Sequence, residues 1–347
     1  MKRTRILLSL ATGSFYLYFL VAGIDYQAVA FAADDDEACE TEIPEPDEDI
    51  LTIKGNRIKI IDAGLYRCVN GKWLFRNSLI ANFGKRFEIR KTDDKCILRV
   101  LQTGKKHTLT SYFSSGFEES RFLDLFKTGG WTITTLQSPK TNTIKQYMQL
   151  NNELMKGGKF LDNRMDLDME IVHSGKKALR FYAVKPDKST KKVRNVSKSL
   201  IEKKTLCFAK GDHIWFSAWY YLKKGMPSTL FDFETRRILG GPGIRLFIRR
   251  GKYATLELKD IEKQQYSQFE VPIPRQRWFN LKMHLVLSNH DDGIIELWQD
   301  GVKILSTRGK TLFTHDTIYN SMEVGITATQ HETTLLVDDV IVSNKPF

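Results

Sequence analysis

The sequence predicts an all-β fold, a sandwich or jelly roll, and three observations carry that reading. Short runs rich in β-branched and aromatic residues recur along the second two thirds of the chain, separated by glycine turns. Within these runs apolar and polar residues alternate, as in a strand with one buried face. Only Ile144–Met155 and Val196–Lys203 read as helical.

The strands follow in order. Ala178–Ala183 comes after a Ser-Gly turn, and the aromatic run His213–Leu222 follows. Phe231–Glu234 and Ile244–Arg249 flank a Gly-Pro-Gly turn. Thr255–Leu258, Trp278–Leu287, Ile294–Gln299, Val302–Ser306, Met322–Ala328 and Thr334–Ser343 complete the set. Asp300-Gly301 between two of them is a hairpin signal. Earlier, residues 51–113 hold shorter runs, Arg57–Ile61, Lys72–Phe75, Arg86–Arg90 and Lys95–Leu101, which read as a small N-terminal β unit.

The first 33 residues read as an export signal. Lys2, Arg3 and Arg5 precede the apolar run Ile6–Ile24, and Ala28-Val29-Ala30 and Ala30-Phe31-Ala32 offer small residues for cleavage. The run is also long enough to stay as an anchor if uncleaved. The expectation is cleavage, a secreted or periplasmic protein and no stable membrane span afterwards.

Charge divides sharply along the chain. Residues 34–50 form an acidic linker whose ten acids lie between Asp34 and Asp49. The whole chain is +12; the first 33 residues contribute +2 and the linker −10, leaving +20 on residues 50–347. Such a body attracts polyanions. For an exported protein that points to acidic polysaccharide and not nucleic acid. The four cysteines, Cys39, Cys68, Cys96 and Cys207, lack C-x-x-C spacing, which argues against zinc. Cys68 and Cys96 bracket a short β region and are the first expected pair; Cys207, in an apolar segment, reads as a free core thiol.

Five segments then suggest a family: KGDHIWFSAWYYL, GPGIRLFIR, RQRWFNLKMHLVLS, DDGIIELWQDGVKIL and MEVGITAT…TTLLVDDVIVS. In this order and spacing, over about residues 117–347, they resemble the concanavalin A-like lectin/glucanase superfamily. Within it they resemble the polysaccharide lyase-like group of heparin lyase I and glucuronan lyases. The resemblance implies a jelly-roll β-sandwich whose last strand, containing Val337-Asp338-Asp339-Val340, lies beside the first.

Alternation places candidate residues on strand faces. Asp232 and Glu234 share one, as do Arg245 and Arg249, Lys282 and His284, and Glu296 and Trp298. On a single concave sheet they would form a groove for an acidic glycan. Arg245 and Lys282 would hold carboxylates, Trp298 would stack on sugar, and Asp232, Glu234 and Glu296 would line the floor. Lyase chemistry by β-elimination would then assign Arg245 to neutralise the uronate carboxylate and His284 to act as base. The alternative for these residues is a solvated face of structural pairs.

Related lyases carry a Lys-x-Gly-x-Tyr strand near the end, and here Glu323 and Thr327 stand at its Lys and Tyr positions. Tyr319, Tyr253 and Tyr266 are the remaining tyrosines considered as the acid. A retaining hydrolase could use Asp232 and Glu234, but the Glu-x-Asp-x-x-Glu glucanase signature is absent. No cofactor is called for; Asp338 and Asp339 read as structural, with calcium shared with Asp124 the one metal option considered. Two non-catalytic alternatives stay open: a lectin-like binding module and a structural envelope protein.

Overall fold

The computed structural model describes residues 106–137, 163–186, 196–235, 243–259, 264–313 and 317–347, together with strand segments from residue 15 to residue 100. Phe15–Leu17 pairs with Val29–Phe31. Asp49–Ile53, Asn56–Ile61, Gly64–Val69 and Lys72–Ser78 form a four-stranded antiparallel meander. Phe87–Lys91, Cys96–Val100 and Lys106–Leu109 form a three-stranded one.

The sandwich begins at β1 (Tyr112–Ser115), followed by one short helix, α1 (Asp124–Lys127). Then come β2 (Ile133–Gln137), β3 (Arg164–Asp168), β4 (Ala178–Ala183), β5 (Ser197–Lys203), β6 (His213–Lys224) and β7 (Pro227–Glu234). β8 (Ile244–Arg249), β9 (Tyr253–Leu258), β10 (Gln264–Pro272) and β11 (Trp278–Val286) follow. The last are β12 (Ile294–Gln299), β13 (Val302–Arg308), β14 (Ser321–Thr329) and β15 (Thr333–Ser343). Sheet I runs β3-β4-β15-β6-β11-β12-β13, with β1 also pairing β15; sheet II runs β2-β5-β14-β7-β8-β9-β10. Every pairing is antiparallel.

The inner faces make one apolar core. Sheet I contributes Phe216, Ala218, Tyr220, Phe279, Leu281 and Met283. Sheet II contributes Phe231, Phe233, Leu246, Leu256, Val324 and Ile326. Phe216 stacks on Phe231 across the interface, with centroids 4.3 Å apart. Sheets packed this way stand about 10 Å apart.

The stretch expected to be helical, Val196–Lys203, is instead strand β5, bonded on both sides by β2 and β14. Leu200 and Ile201 are adjacent in sequence yet both are fully buried. A strand covered on both faces shows no alternation, so its apolar spacing mimics a helix. Ile144–Met155 lies outside the described residues.

The last strand closes the sandwich. One edge of β15 pairs β6. Its other edge divides: Thr333–Val337 pairs β4 and Val340–Ser343 pairs β1. Asp338 and Asp339 sit at the division, where Asp339 takes a left-handed backbone (φ 46°). Asp338 accepts the backbone N–H groups of His173 (3.1 Å) and Ser174 (3.2 Å). Asp339 accepts the Ser174 hydroxyl and faces His173 Nδ1 at 2.7 Å. Burial, reinforced by neighbouring Asp339, pushes the Asp338 carboxyl up to about 6. Asp124, the third acid of the calcium option, is held by Arg121 instead. Among the described residues no group of three ligand-type side chains is gathered for a metal.

The cysteine expectation is corrected. Cys96 bonds Cys207, with Cα atoms 6.4 Å apart, inside the bridgeable range. It bonds neither Cys68, whose side chain lies outside the described residues, nor leaves Cys207 free. A buried half-cystine and a buried thiol have the same apolar flanks in sequence, here Leu206 and Phe208. Only the fold brings partners separated by 111 residues together. The bridge, the Lys91–Asp212 ion pair and the Thr110–Leu206 pairing fasten the three-stranded meander to the sandwich.

Two stability outcomes follow. Cys207→Ser should cost about 2–5 kcal/mol in urea unfolding, and a non-reducing peptide map should show Cys96 linked to Cys207 and not to Cys68. Gly325→Ala should cost about 3 kcal/mol by the same measurement. Its backbone has φ 119°, and an added Cβ would stand 2.6 Å from a Phe181 ring carbon and 2.9 Å from the Ser199 carbonyl.

Candidate functional site

The outward face of sheet II carries a polar row across six strands. Cross-strand register aligns Glu202, Glu323, Asp232, Arg245, Glu257 and Gln265, one from each of β5, β14, β7, β8, β9 and β10. Each is flanked along its strand by core residues such as Ile201, Met322, Phe231, Leu246 and Leu256, and this alternation turns it outward. Outward position does not mean exposure. Glu202 and Glu257 are 2% exposed, Asp232 5% and Glu323 9%.

Buried charge is tolerable only when paired. Lys259 donates to Asp232 at 2.8 Å and to Glu234 at 2.6 Å. Burial works against its charge, but Asp232, Glu234 and Glu323 outweigh it and hold its pKa above the usual lysine value. Arg245 pairs with Glu257, which also accepts Gln265 Nε2 at 2.7 Å. Lys204 lies 3.3 Å from Glu202, and the Ser321 hydroxyl donates to the same carboxylate. Glu323 sits between Glu202 and Asp232. Burial first, and then the negative charge of Glu234, Glu202 and Asp232, push its carboxyl up to about 8. Near neutral pH it therefore carries a proton.

The single-groove expectation fails. Asp232, Glu234 and Arg245 do share the face of sheet II, but Lys282, His284, Glu296 and Trp298 face outward from sheet I, across the core. The physical reason is that Phe231 and Leu246 on one sheet, and Leu281, Met283 and Leu297 on the other, point at one another. The polar positions between them must point apart.

His284 is also engaged chemically. Its Nδ1 lies 2.8 Å from Glu296 and its Nε2 2.9 Å from His213 Nδ1. Burial, partly offset by Glu296, lowers its pKa, so the ring is neutral near pH 7. A carboxylate can only accept, so Nδ1–H donates to Glu296 and Nε2 accepts from His213. The lone pair wanted of a base is occupied.

The tyrosines separate as well. Tyr319 is fully buried and donates to the Thr311 carbonyl at 2.6 Å. Tyr266 donates to the Lys310 carbonyl at 3.0 Å. Tyr253 shares the outward face of sheet II, but it lies four residues along β9 from Glu257, about 13 Å away. Thr327 is spent on the hydroxyl of Thr229. Nor does the Asp232–Glu234 pair suit a hydrolase, because Lys259 occupies the space between the two carboxylates.

Sequence reading missed Glu202, Glu257, Gln265 and Lys259. Glu257 was legible from the alternation in Thr255–Leu258. Glu202 was hidden by the helical reading of its segment, and Lys259 lies just past a strand end, where no pattern assigns a direction.

Residues 139–340 match the family described as "Polysaccharide lyase". The chain belongs to the polysaccharide lyase family. Its sandwich is the concanavalin A-like jelly roll of that family. Similar solved structures include an endo-β-1,4-glucuronan lyase from the fungus Trichoderma reesei, at 12% identity and TM-score 0.48, covering 69% of this chain and 96% of that one. The cellulose-induced protein Cip1 aligns at 15% identity and TM-score 0.44, covering 67% and 97%. The alginate lyase vAL-1 from Chlorella virus aligns at 9% identity and TM-score 0.40, covering 65% and 98%. No curated protein matches the sequence.

The raised Glu323 carboxyl gives this polysaccharide lyase-family protein a pH signature. Its folded pKa, about 8, exceeds the ordinary 4.5, so the folded state keeps a proton that the unfolded chain releases. Stability is therefore full below about pH 4.5 and falls as pH rises through 8. Urea unfolding at pH 5, 7 and 9 should show this decline in the wild type and a flatter profile in Glu323→Gln.

Proposed function

We propose that this protein binds an acidic, uronate-containing polysaccharide along the polar row of sheet II and cleaves it by β-elimination. The family supplies the reaction class. The observation that carries the reading is the placement of Glu323 two strands from Arg245 in one row. Two strands span about 9.5 Å at the backbone, so two long side chains can converge on one sugar.

In this reading Arg245 exchanges part of its pairing with Glu257 for the uronate carboxylate. That stabilises the charge that develops when the C5 proton leaves. Glu323, which titrates near pH 8, takes the C5 proton in its ionised form. The C5–H electron pair forms the C4–C5 double bond, the C4–O4 bond breaks, and Glu323 returns the proton to the leaving oxygen. One residue thus serves as base and then acid on one side of the ring. The export pattern at the N-terminus supports action outside the cytoplasm.

One observation favours a second reading, binding without cleavage. Arg245 and Lys259 already hold carboxylates, and Glu323 and Thr327 stand where related lyases place Lys and Tyr.

The test is a lyase screen of the purified protein on glucuronan, alginate, hyaluronan, heparin and pectate, read by ultraviolet absorbance of the unsaturated product. The expected result is product from one of the uronans, with kcat/KM rising through about pH 8. Arg245→Ala should lower kcat/KM by about a hundredfold or more, and Glu323→Gln should abolish turnover. No product from any substrate, with retention on the same glycans, selects the binding reading.

A further inference from the structure

The outward face of sheet I is unlike an ordinary solvated sheet face. Four of the chain's six tryptophans, Trp215, Trp219, Trp278 and Trp298, lie on its strands β6, β11 and β12. Trp215 stacks on His284 at 3.9 Å and lies 6.1 Å from Trp298. Two lysines cap these rings. Lys282 Nζ sits 5.2 Å from the Trp215 ring and 5.0 Å from that of Phe347, and Lys303 Nζ sits 5.0 Å from Trp298.

The charge pattern differs from that of sheet II. There, Lys259 and Arg245 are saturated by buried carboxylates. Lys282 bonds an oxygen of Phe347, the last residue of the sequence, at 2.8 Å and otherwise meets aromatic faces. Glu296 is an acid of this face, and it is already held by Lys303 and His284. A lysine head resting on rings is held by about 0.5–1 kcal/mol at an exposed site. Each ammonium has three donors and spends one on Glu296 or on Phe347, so donors remain on Lys303 and Lys282 for an anionic ligand.

We infer that this face is a second binding surface for an acidic polysaccharide chain, contacted by Lys282, Lys303, Trp215 and Trp298 and separate from the polar row of sheet II. Lysines supply the charge-assisted bonds, and the indoles supply amphipathic area against sugar C–H groups. The inference rests on carbohydrate as the ligand class, as the family has it, and not on which residues of sheet II react. A surface of this kind would hold a long polymer while the opposite face engages another segment of it.

Native affinity electrophoresis of the full chain in gels containing glucuronan or alginate tests it. Because the body is strongly basic, the comparison must be matched in charge. Lys282→Gln/Lys303→Gln should weaken retention about tenfold. Lys127→Gln/Lys176→Gln, which removes two lysines elsewhere, should change it less than twofold. Trp298→Ala should weaken retention without any change in charge, and Trp298→Phe should restore it, which separates lost contact from misfolding. Arg245→Ala, which alters the sheet II row, should lower retention separately, and adding Lys282→Gln/Lys303→Gln to it should lower retention further.

Equal loss in both lysine pairs would reduce the effect to general charge and overturn the inference. So would retention abolished by Arg245→Ala alone, or no retention of the wild type. Product formation is scored on the same preparations. Absence of product with retention that depends on Lys282 and Lys303 would sink the elimination reading and leave this surface standing.

Discussion

The contact of Phe216 with Phe231 across the sandwich stands for the constraint on which the rest depends. Each sheet has one apolar face, and burying both against each other is the dominant favourable term in folding. That single requirement fixes the direction of every alternate residue. It turns Arg245, Asp232 and Glu323 to one side of the molecule and His284, Lys282 and Trp298 to the other. The chain therefore has two chemically distinct outer faces, one a buried row of paired charge and one aromatic with lysines over its rings.

The charged face is costly to build. Burying carboxylates side by side is unfavourable unless cations answer them, and Lys259 answers two at once. The row relieves its remaining excess of negative charge by keeping a proton on Glu323. Burial and the neighbouring acids Glu234, Glu202 and Asp232 account for that retained proton.

The edges of the sandwich are secured by different means. At the β15 edge, Asp338 and Asp339 satisfy backbone and side-chain donors of the 173–174 turn where pairing passes from β4 to β1. Near the start of β14, the Cys96–Cys207 bridge, the buried contacts of Leu109 with Ile318 and the Lys91–Asp212 pair fix the preceding meander. The meander thus sits against the same end of the molecule as Ser321 and Glu202, at one end of the polar row.

The sequence by itself determined the all-β class, most strand positions and the face on which each strand residue lies, because alternation is a local property of the pleated backbone. Ala178–Ala183, Ile244–Arg249 and Ile294–Gln299 were legible to the residue. It also pointed to Asp232, Glu234 and Arg245 on one face, since strands consecutive in sequence usually lie side by side and alternation sets their direction. Tertiary structure alone decided which faces share a sheet. The same alternation is compatible with His284 beside Arg245 or across the core from it, and only the strand order distinguishes the two. It also decided that Val196–Lys203 is a strand, because burial on both faces erases the pattern that local reading needs. The partner of Cys207 and the proton on Glu323 belong to this second kind. Both depend on residues far apart in the chain, brought within a few ångströms by the packing of two sheets.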